Sequence, residues 1–465
     1  MPVGRSPVGR STANGNGAAA VAVTQQCLDR IEELNPQLNA VVALDRDGAL
    51  TAAARCDEIA AAGRSAGLLH GVPIVVKDNI DVRGLPTTNA FAGADGAPAS
   101  QDAEVVARIR AEGAIILGKA AMDEFALGVT GNNSRFPRCR NPWDTERIAG
   151  GSSGGSAVAV AAGMARAALG SDTGGSVRAP AALNGIVGLR PTTGIDDLRG
   201  VTPLSPVFDT VGPLARDVAG VRQFFLATTG GHLKSAGRWL PELPPSGEDS
   251  RLFAGLTIGK PTEFFYEVTD PQVTAAVAAA VDVLARHGAT IVECDLSQAA
   301  AAQEQMSTMM LAEAYGLLQE RIHTQSASFT PTVLQRLLLG REVTGPQYAA
   351  ARAWADTWRR RLRRTFNKVD AVVVPTTASI APRLGPDIDG LGRTMQVTRF
   401  TFPWSLAGVP ALSLPCGFDQ GMPIGLQLVG DWHAEMQLLE IGRRYQRVTR
   451  WHETSFPDPG AHHRQ

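Results

Sequence analysis

Two glycine- and serine-rich stretches and one lysine are the parts of this chain best suited to chemistry. GGSSGGS occupies residues 150–156 and GSDTGGS occupies residues 170–176. Glycine permits positive φ and close approach of the backbone to a ligand, and successive free amides in such a turn form a cradle for an oxyanion or a phosphate. A phosphate loop needs GxxxxGK[ST], which neither stretch contains, and neither fits GxGxxG. On these residues alone two readings stay open: a pair of tight packing turns, or a serine nucleophile beside an oxyanion cradle.

A serine nucleophile needs a base. None of the eight histidines lies near the serine stretches in sequence, which weakens a Ser-His-Asp arrangement without removing it. Lysine is scarcer still, at Lys77, Lys119, Lys234, Lys260 and Lys368. Lys77 directly follows LLHGVPIVV at 68–76, an apolar run of the kind carried by a strand buried on both faces, and chemistry in open α/β sheets collects where strands end. Arginine cannot serve as a base near neutral pH, whereas lysine can when burial disfavours its charge. Moving a lysine from about 10.4 to about 7 to 8 takes roughly 3 to 5 kcal/mol. The competing readings of Lys77 are an ion pair or a surface lysine.

The elements that must position these groups follow from periodicity. Residues 18–34, 49–62 and 103–112 pattern as helices, and 114–117 as a strand. The stretch 150–200 is rich in Gly, Ser, Ala and Pro, yet it holds the apolar segments 157–168 and 186–189, so it is no flexible linker. LPELPPSGED at 240–249 reads as a surface loop, after which a strand at 256–259 and a helix at 271–287 resume the alternation. Residues 297–368 are mostly helical, and there is no internal repeat. Trp354, Trp358 and Leu362 recur on one face, so the arginines at 359, 360, 361, 363 and 364 read as the solvated circumference of a helix.

Composition bounds the rest. Of 465 residues 44% are hydrophobic and 19% charged, with 44 Lys and Arg against 45 Asp and Glu, so a sizeable core is expected and net charge supplies no attraction to nucleic acid or anionic membrane. No run approaches the roughly 20 apolar residues of a membrane span. Residues 1–17 read as a disordered tail without a secretory core, and the five scattered cysteines as reduced thiols, which together suggest the cytoplasm.

Several of these segments taken together resemble the amidase signature family. The resemblance rests on GVPIVVKDNI at 71–80, GGSSGGS at 150–156 and GSDTGGSVRAPAALNGIVGLRPT at 170–192. ILGKAAMDEFALG at 116–128, RNPWD at 140–144, GVPALSLPCGF at 408–418 and GMPIGLQLVG at 421–430 extend it from about residue 24 to 456. It implies one large α/β domain over 18–465, a mixed β-sheet covered by helices on both faces. Its core would span 65–230 and 400–456, with a more variable helical region at 297–368. It further implies that Ser176 is the nucleophile, Ser152 the bridging serine after a cis peptide, and Lys77 the base, a triad cleaving a carboxamide through an acyl-enzyme. Backbone amides of Thr173, Gly174, Gly175 and Ser176 would form the oxyanion hole, with Ser153, Asp172 and Arg178 supporting them, Lys119 structural, and no metal or organic cofactor.

Specificity falls outside the motifs. Ala126, Leu127, Thr130 and Thr398 are the expected substrate-pocket residues. Thr398 supplies a hydroxyl and no negative charge where the corresponding chains of tRNA-dependent amidotransferases usually carry an aspartate. Phe400, Phe402 and Trp404 follow it, so the sequence favours a free amidase acting on an uncharged, apolar carboxamide over glutamine. The expected partner is a small-molecule amide, with no nucleic acid, no membrane, and a homodimer as the candidate assembly. A ureide or biuret-type hydrolase and the glutaminase-type chain of a tRNA-dependent glutamine amidotransferase are the alternatives.

Overall fold

Strands form where apolar, β-branched runs can be covered on both sides, and the described residues of this chain build eleven of them into one mixed sheet. In the computed structural model, which describes residues 19–229 and 249–457, they are β1 (Val41–Leu44), β2 (Pro73–Lys77), β3 (Ile115–Ala120), β4 (Ala167–Ser171), β5 (Val187–Arg190), β6 (Val211–Ala215), β7 (Thr257–Pro261), β8 (Thr290–Cys294), β9 (Ala371–Pro375), β10 (Ala411–Asp419) and β11 (Met422–Val429). The order across the sheet is β1-β3-β2-β4-β6-β5-β10-β11-β9-β7-β8. β2 runs parallel to β3 and β4, and β7 parallel to β8 and β9, while the pairs from β4 through β11 to β9 are antiparallel.

Alternation along each strand sorts its side chains between two layers of helices. Ile74 and Val76 of β2 join the core formed with helices Glu104–Ala111, Val218–Thr228, Pro271–Arg286 and Glu435–Val448. Val75 points the other way, into the core under Ala20–Leu38, Arg46–Ala61 and Gly154–Ala161. On that same side Val372, Val374 and Val429 meet the helices Ala299–Gln325, Gly345–Phe366 and Phe402–Ala407. Lys77 shares the parity of Val75, so the sheet delivers it toward the start of Gly154–Ala161, where Ser152 stands.

The structure trims two expectations. The apolar run at 68–76 is strand only from Pro73, because Gly71 takes a φ of +71° and Val72 donates to Leu69 in a turn before the chain straightens. The expected tail at 1–17 and nearly all of the loop at 240–249 lie outside the described residues. The arginine-rich helix is laid out as its apolar stripe required, with Trp358 and Leu362 fully buried. Arg359 has a specific task there, donating to the carbonyls of Leu406 and Ala407 and so satisfying the C-terminal end of Phe402–Ala407. Among the described residues no helix is long and apolar enough to cross a membrane.

Candidate active site

Lys77 is wholly buried at the last position of β2, and its Nζ lies 2.7 Å from Ser152 Oγ and 2.9 Å from Ser171 Oγ. Burial pushes the Lys77 amine down to about 7, against the opposing charges of Asp123, Asp172 and Asp209. A neutral amine at hydrogen-bond distance from a hydroxyl can accept its proton, which a surface lysine near 10.4 could not do at neutral pH. Asn79 Nδ2 donates to Ser171 Oγ at 3.1 Å, so Ser171 is held from two sides against the lysine.

The serine stretches meet through their backbones. The Gly151–Ser152 peptide is cis. Ser153 N donates to Ser176 O at 3.1 Å, and Ser153 Oγ donates to Ser171 O at 3.1 Å, which pins the 150s turn against the 170s turn. Gly175 has a φ of +132°, and a Cβ there would lie 2.2 Å from Thr401 Oγ1, so only glycine fits. Ser176 is 8% exposed and borders a cavity of about 290 Å³. Its hydroxyl makes no hydrogen bond to a described residue, Ser152 included, so proton transfer between the two serines requires them to draw together when substrate binds.

Asp172 organises the cradle. It accepts from Gly175 N at 2.8 Å and Val177 N at 3.2 Å, and it forms buried ion pairs with Arg178 at 3.0 Å and Arg190 at 3.1 Å. Burial alone would raise its carboxyl, but the two guanidiniums outweigh burial and hold it well below the usual carboxylate range. Arg178 also donates to Thr401 O, Gln427 Oε1 and Ser405 Oγ, tying the turn to the start of the helix Phe402–Ala407 and to β11. Because the Gly175 amide is spent on Asp172, the amides of Thr173, Gly174 and Ser176 are the ones with no protein acceptor among the described residues. Asp172→Ala leaves two buried arginines without their carboxylate and is expected to destabilise the fold by at least about 3 kcal/mol, read as a lowered denaturant midpoint.

Of the pocket residues expected from sequence, Ala126, Leu127 and Thr398 line the cavity. Thr130 does not: its amide donates to Asp123 Oδ1 and its hydroxyl to Asp389. Phe402 lines the cavity, but Phe400 and Trp404 are fully buried against Phe265 and contribute nothing to it. The walls are nonetheless mostly apolar, with Leu127, Met310, Leu311 and Met395. Lys119 is buried against Asp78 at 3.4 Å and bonds Pro86 O and Thr87 Oγ1, which fastens that loop to the sheet.

Sequence reasoning missed four residues. Ser171 and Asn79 lay inside quoted motifs without being singled out. Asp123, in MDEFA, is buried behind Gly151, where a Cβ would fall 2.0 Å from its Oδ2; that oxygen has no hydrogen-bond partner. Burial pushes its carboxyl up to about 6, against the amides of Thr130 and Gly131 and the charges of Lys77 and Arg336. Arg336, 5% exposed, sits in the cavity wall and donates to Leu127 O, Asp389 O and Thr394 Oγ1, and no local pattern marks it.

A buried lysine and paired serine turns at the ends of one mixed sheet define the class: a hydrolase of amide C-N bonds. The chain belongs to the amidase signature family, whose model, Amidase, matches residues 22–439. It is 40% identical to the A-type subunit of the glutamyl-tRNA(Gln) amidotransferase of Symbiobacterium thermophilum, over 94% of this chain and 94% of that one. Among solved structures it is similar to an amidase (32% identity, TM-score 0.84, covering 94% of this chain and 98% of that one). It is also similar to a chain from a vestigial protein complex tied to the origins of an s-triazine catabolic enzyme (31% identity, TM-score 0.85, covering 96% and 98%).

These likenesses correct the partner expectation. Further relatives at 38% identity bear the same amidotransferase name, a name that specifies both a larger assembly and a tRNA. A small molecule as sole partner, with nucleic acid excluded, does not stand. Net charge misled because it averages over the chain and is silent about contacts made through neighbouring subunits.

Proposed function

We propose that this chain is the amide-cleaving component of an amidotransferase-type assembly, releasing ammonia from the side-chain carboxamide of glutamine. The observation that carries this reading is Arg336, a buried guanidinium in the wall of the same cavity that Ser176 borders. Its Nη atoms bond Leu127 O, Asp389 O and Thr394 Oγ1, which fixes a positive charge in that wall, and a carboxylate is the anion a guanidinium matches best. A neutral alkyl or aryl amide would bring that cation no opposite charge. The names of the relatives support amide-nitrogen transfer within a tRNA-linked partner assembly. A carboxylated ureide would also suit the guanidinium, a second reading favoured by the likeness to the s-triazine-related chain. All five cysteines are free thiols, which supports a reducing compartment such as the cytoplasm.

In this reading neutral Lys77 takes the Ser152 proton, Ser152 takes the Ser176 proton, and Ser176 Oγ attacks the amide carbon. The carbonyl oxygen becomes an oxyanion facing the amides of Thr173, Gly174 and Ser176. Ser152 returns a proton to the nitrogen, ammonia leaves, and water entering along the same relay frees the acid. Ser171 and Asn79 keep the lysine aimed at Ser152.

The test is a pair of substrates. Arg336→Met is expected to raise KM for glutamine by at least about tenfold, about 1.4 kcal/mol, with a smaller effect on butyramide, which has no carboxylate. An equal loss on both substrates would mean that Arg336 only braces the wall through Leu127, Asp389 and Thr394, and would remove the support for a carboxylate-bearing substrate.

A further inference from the structure

β2 and β3 run parallel with Lys77 opposite Ala120, so the chain leaving β3 passes the lysine at the edge where both strands end. Just beyond that edge Asp123 N donates to Ser152 O at 3.3 Å, and the Asp123 side chain is buried. Its Oδ1 accepts from Thr130 N at 3.1 Å and from Gly131 N at 2.9 Å. Its Oδ2 has no hydrogen-bond partner among the described residues. Glycine makes the room for both oxygens: a Cβ on Gly151 would fall 2.0 Å from Oδ2, and one on Gly128 2.5 Å from Oδ1. An anionic oxygen shut away from water without a partner is unfavourable, so a cation that comes within its reach is held strongly.

Two cations face this carboxylate, Lys77 and Arg336, together with the Cys139 thiol, which burial and the carboxylate keep neutral. Arg336 stays charged throughout, and its Nη atoms are already bonded to Leu127 O, Asp389 O and Thr394 Oγ1. Lys77 is the one whose charge changes during the reaction. The other two carboxylates that act on Lys77 are committed elsewhere. Asp172 is paired with Arg178 and Arg190, and the oxygens of Asp209 accept from Thr173 Oγ1, Leu204 N and Ser205 N. Among these three, Asp123 is the carboxylate that keeps an oxygen free, and its charge is the strongest of the three at the lysine.

We propose that Asp123 is a positioning residue for the proton relay: its free Oδ2 offsets the positive charge that Lys77 gains on taking the Ser152 proton. The proton passes from Ser152 Oγ to Lys77 Nζ, Ser152 is replenished from Ser176 Oγ as that oxygen attacks the amide carbon, and no bond forms to Asp123. Without the carboxylate the lysine is a weaker base, because less remains to oppose the bias of burial against its charged form. The inference rests on the relay of Lys77, Ser152 and Ser176 and deepens it; it does not depend on which amide is cleaved.

The test is Asp123→Asn in the full chain, assayed on whichever of glutamine and butyramide the wild type cleaves faster. Asparagine keeps an oxygen to accept from Thr130 N and Gly131 N and removes the charge. The midpoint of the acid limb of kcat/KM is expected to move down by about one pH unit, and kcat on the plateau to drop about tenfold, as the weaker base draws less on the serine. KM should change by less than about twofold, since Asp123 is not among the described residues that line the cavity. An unmoved midpoint, whether or not kcat falls, would overturn the role and leave Asp123 a brace for the amides of Thr130 and Gly131. Wild type gives an independent reading. The chain has five lysines, so NMR of isotope-labelled lysine resolves Lys77, identified by its loss in Lys77→Arg. Its Cε resonance should titrate more broadly than an isolated group, across the range in which Asp123 also titrates. A single sharp step would overturn the inference even if Asp123→Asn does not fold. Near-normal activity of Lys77→Arg would overturn the relay and this inference together, whereas the unmoved midpoint strikes Asp123 alone.

Discussion

Ser176→Ala is expected to lower kcat/KM for amide hydrolysis by about 10⁵-fold, close to 7 kcal/mol of transition-state stabilisation, with the melting temperature little changed. The substitution removes an uncommitted hydroxyl that borders the cavity beside unused backbone amides; the neighbouring Thr173 hydroxyl is spent on Asp209. An alanine at this site, 8% exposed, deletes a single oxygen that has no hydrogen-bond partner to leave stranded. Mass spectrometry of wild type quenched during turnover should find the acyl group on the peptide containing Ser176, and the variant should show none. Substantial turnover by the alanine variant, or acylation elsewhere, would reassign the nucleophile.

Lys77→Arg is the second large effect, expected at about 10³-fold in kcat/KM. Arginine keeps the positive charge but cannot surrender it, so Ser152 would face a permanent donor. In wild type the sign of the pH dependence follows from the depressed amine. With its value near 7, Lys77 is neutral above that pH and protonated below it, so kcat/KM should be level on the alkaline side and fall about tenfold per unit below about 7. Asp123 titrates nearby, at about 6, and its carboxylate favours the charged lysine, so the acid limb belongs to the coupled pair and is expected to become shallower below pH 6, where a neutral Asp123 no longer supports protonation of Lys77. A flat profile down to pH 5, or near-normal activity with arginine, would show that some other group accepts the proton.

Much of the fold could be read from the chain because its signals were local. The helices at 20–38 and 46–61 and the strands at 115–120 and 187–190 begin within a few residues of where periodicity put them, and Lys77 stands at the end of a buried strand as its apolar run suggested. What was not legible depended on distant chain. Nothing near residue 336 in sequence announces that its guanidinium meets Leu127 O, and nothing near 172 announces that Arg190 will share its carboxylate with Arg178. The pocket suffered most: Phe400 and Trp404 looked like substrate contacts in one dimension, yet the turn at 401 sends Phe402 to the cavity and its neighbours into the core. The oxyanion cradle was read as four amides because sequence cannot say that one of them already serves Asp172.

The bracing of Arg178 has a consequence for how this protein is made. Ser152 and Ser176 are synthesised early, but the acceptors that hold Arg178, at Thr401, Ser405 and Gln427, come more than 200 residues later. β5 likewise acquires its neighbour β10 across the same gap. Contacts of such long sequence separation are the last to form and the slowest to be rewarded. A nascent chain that has emerged through its serine turns therefore holds every reactive group and no finished site, and hydrolytic capacity arrives only as the C-terminal strands leave the ribosome and dock.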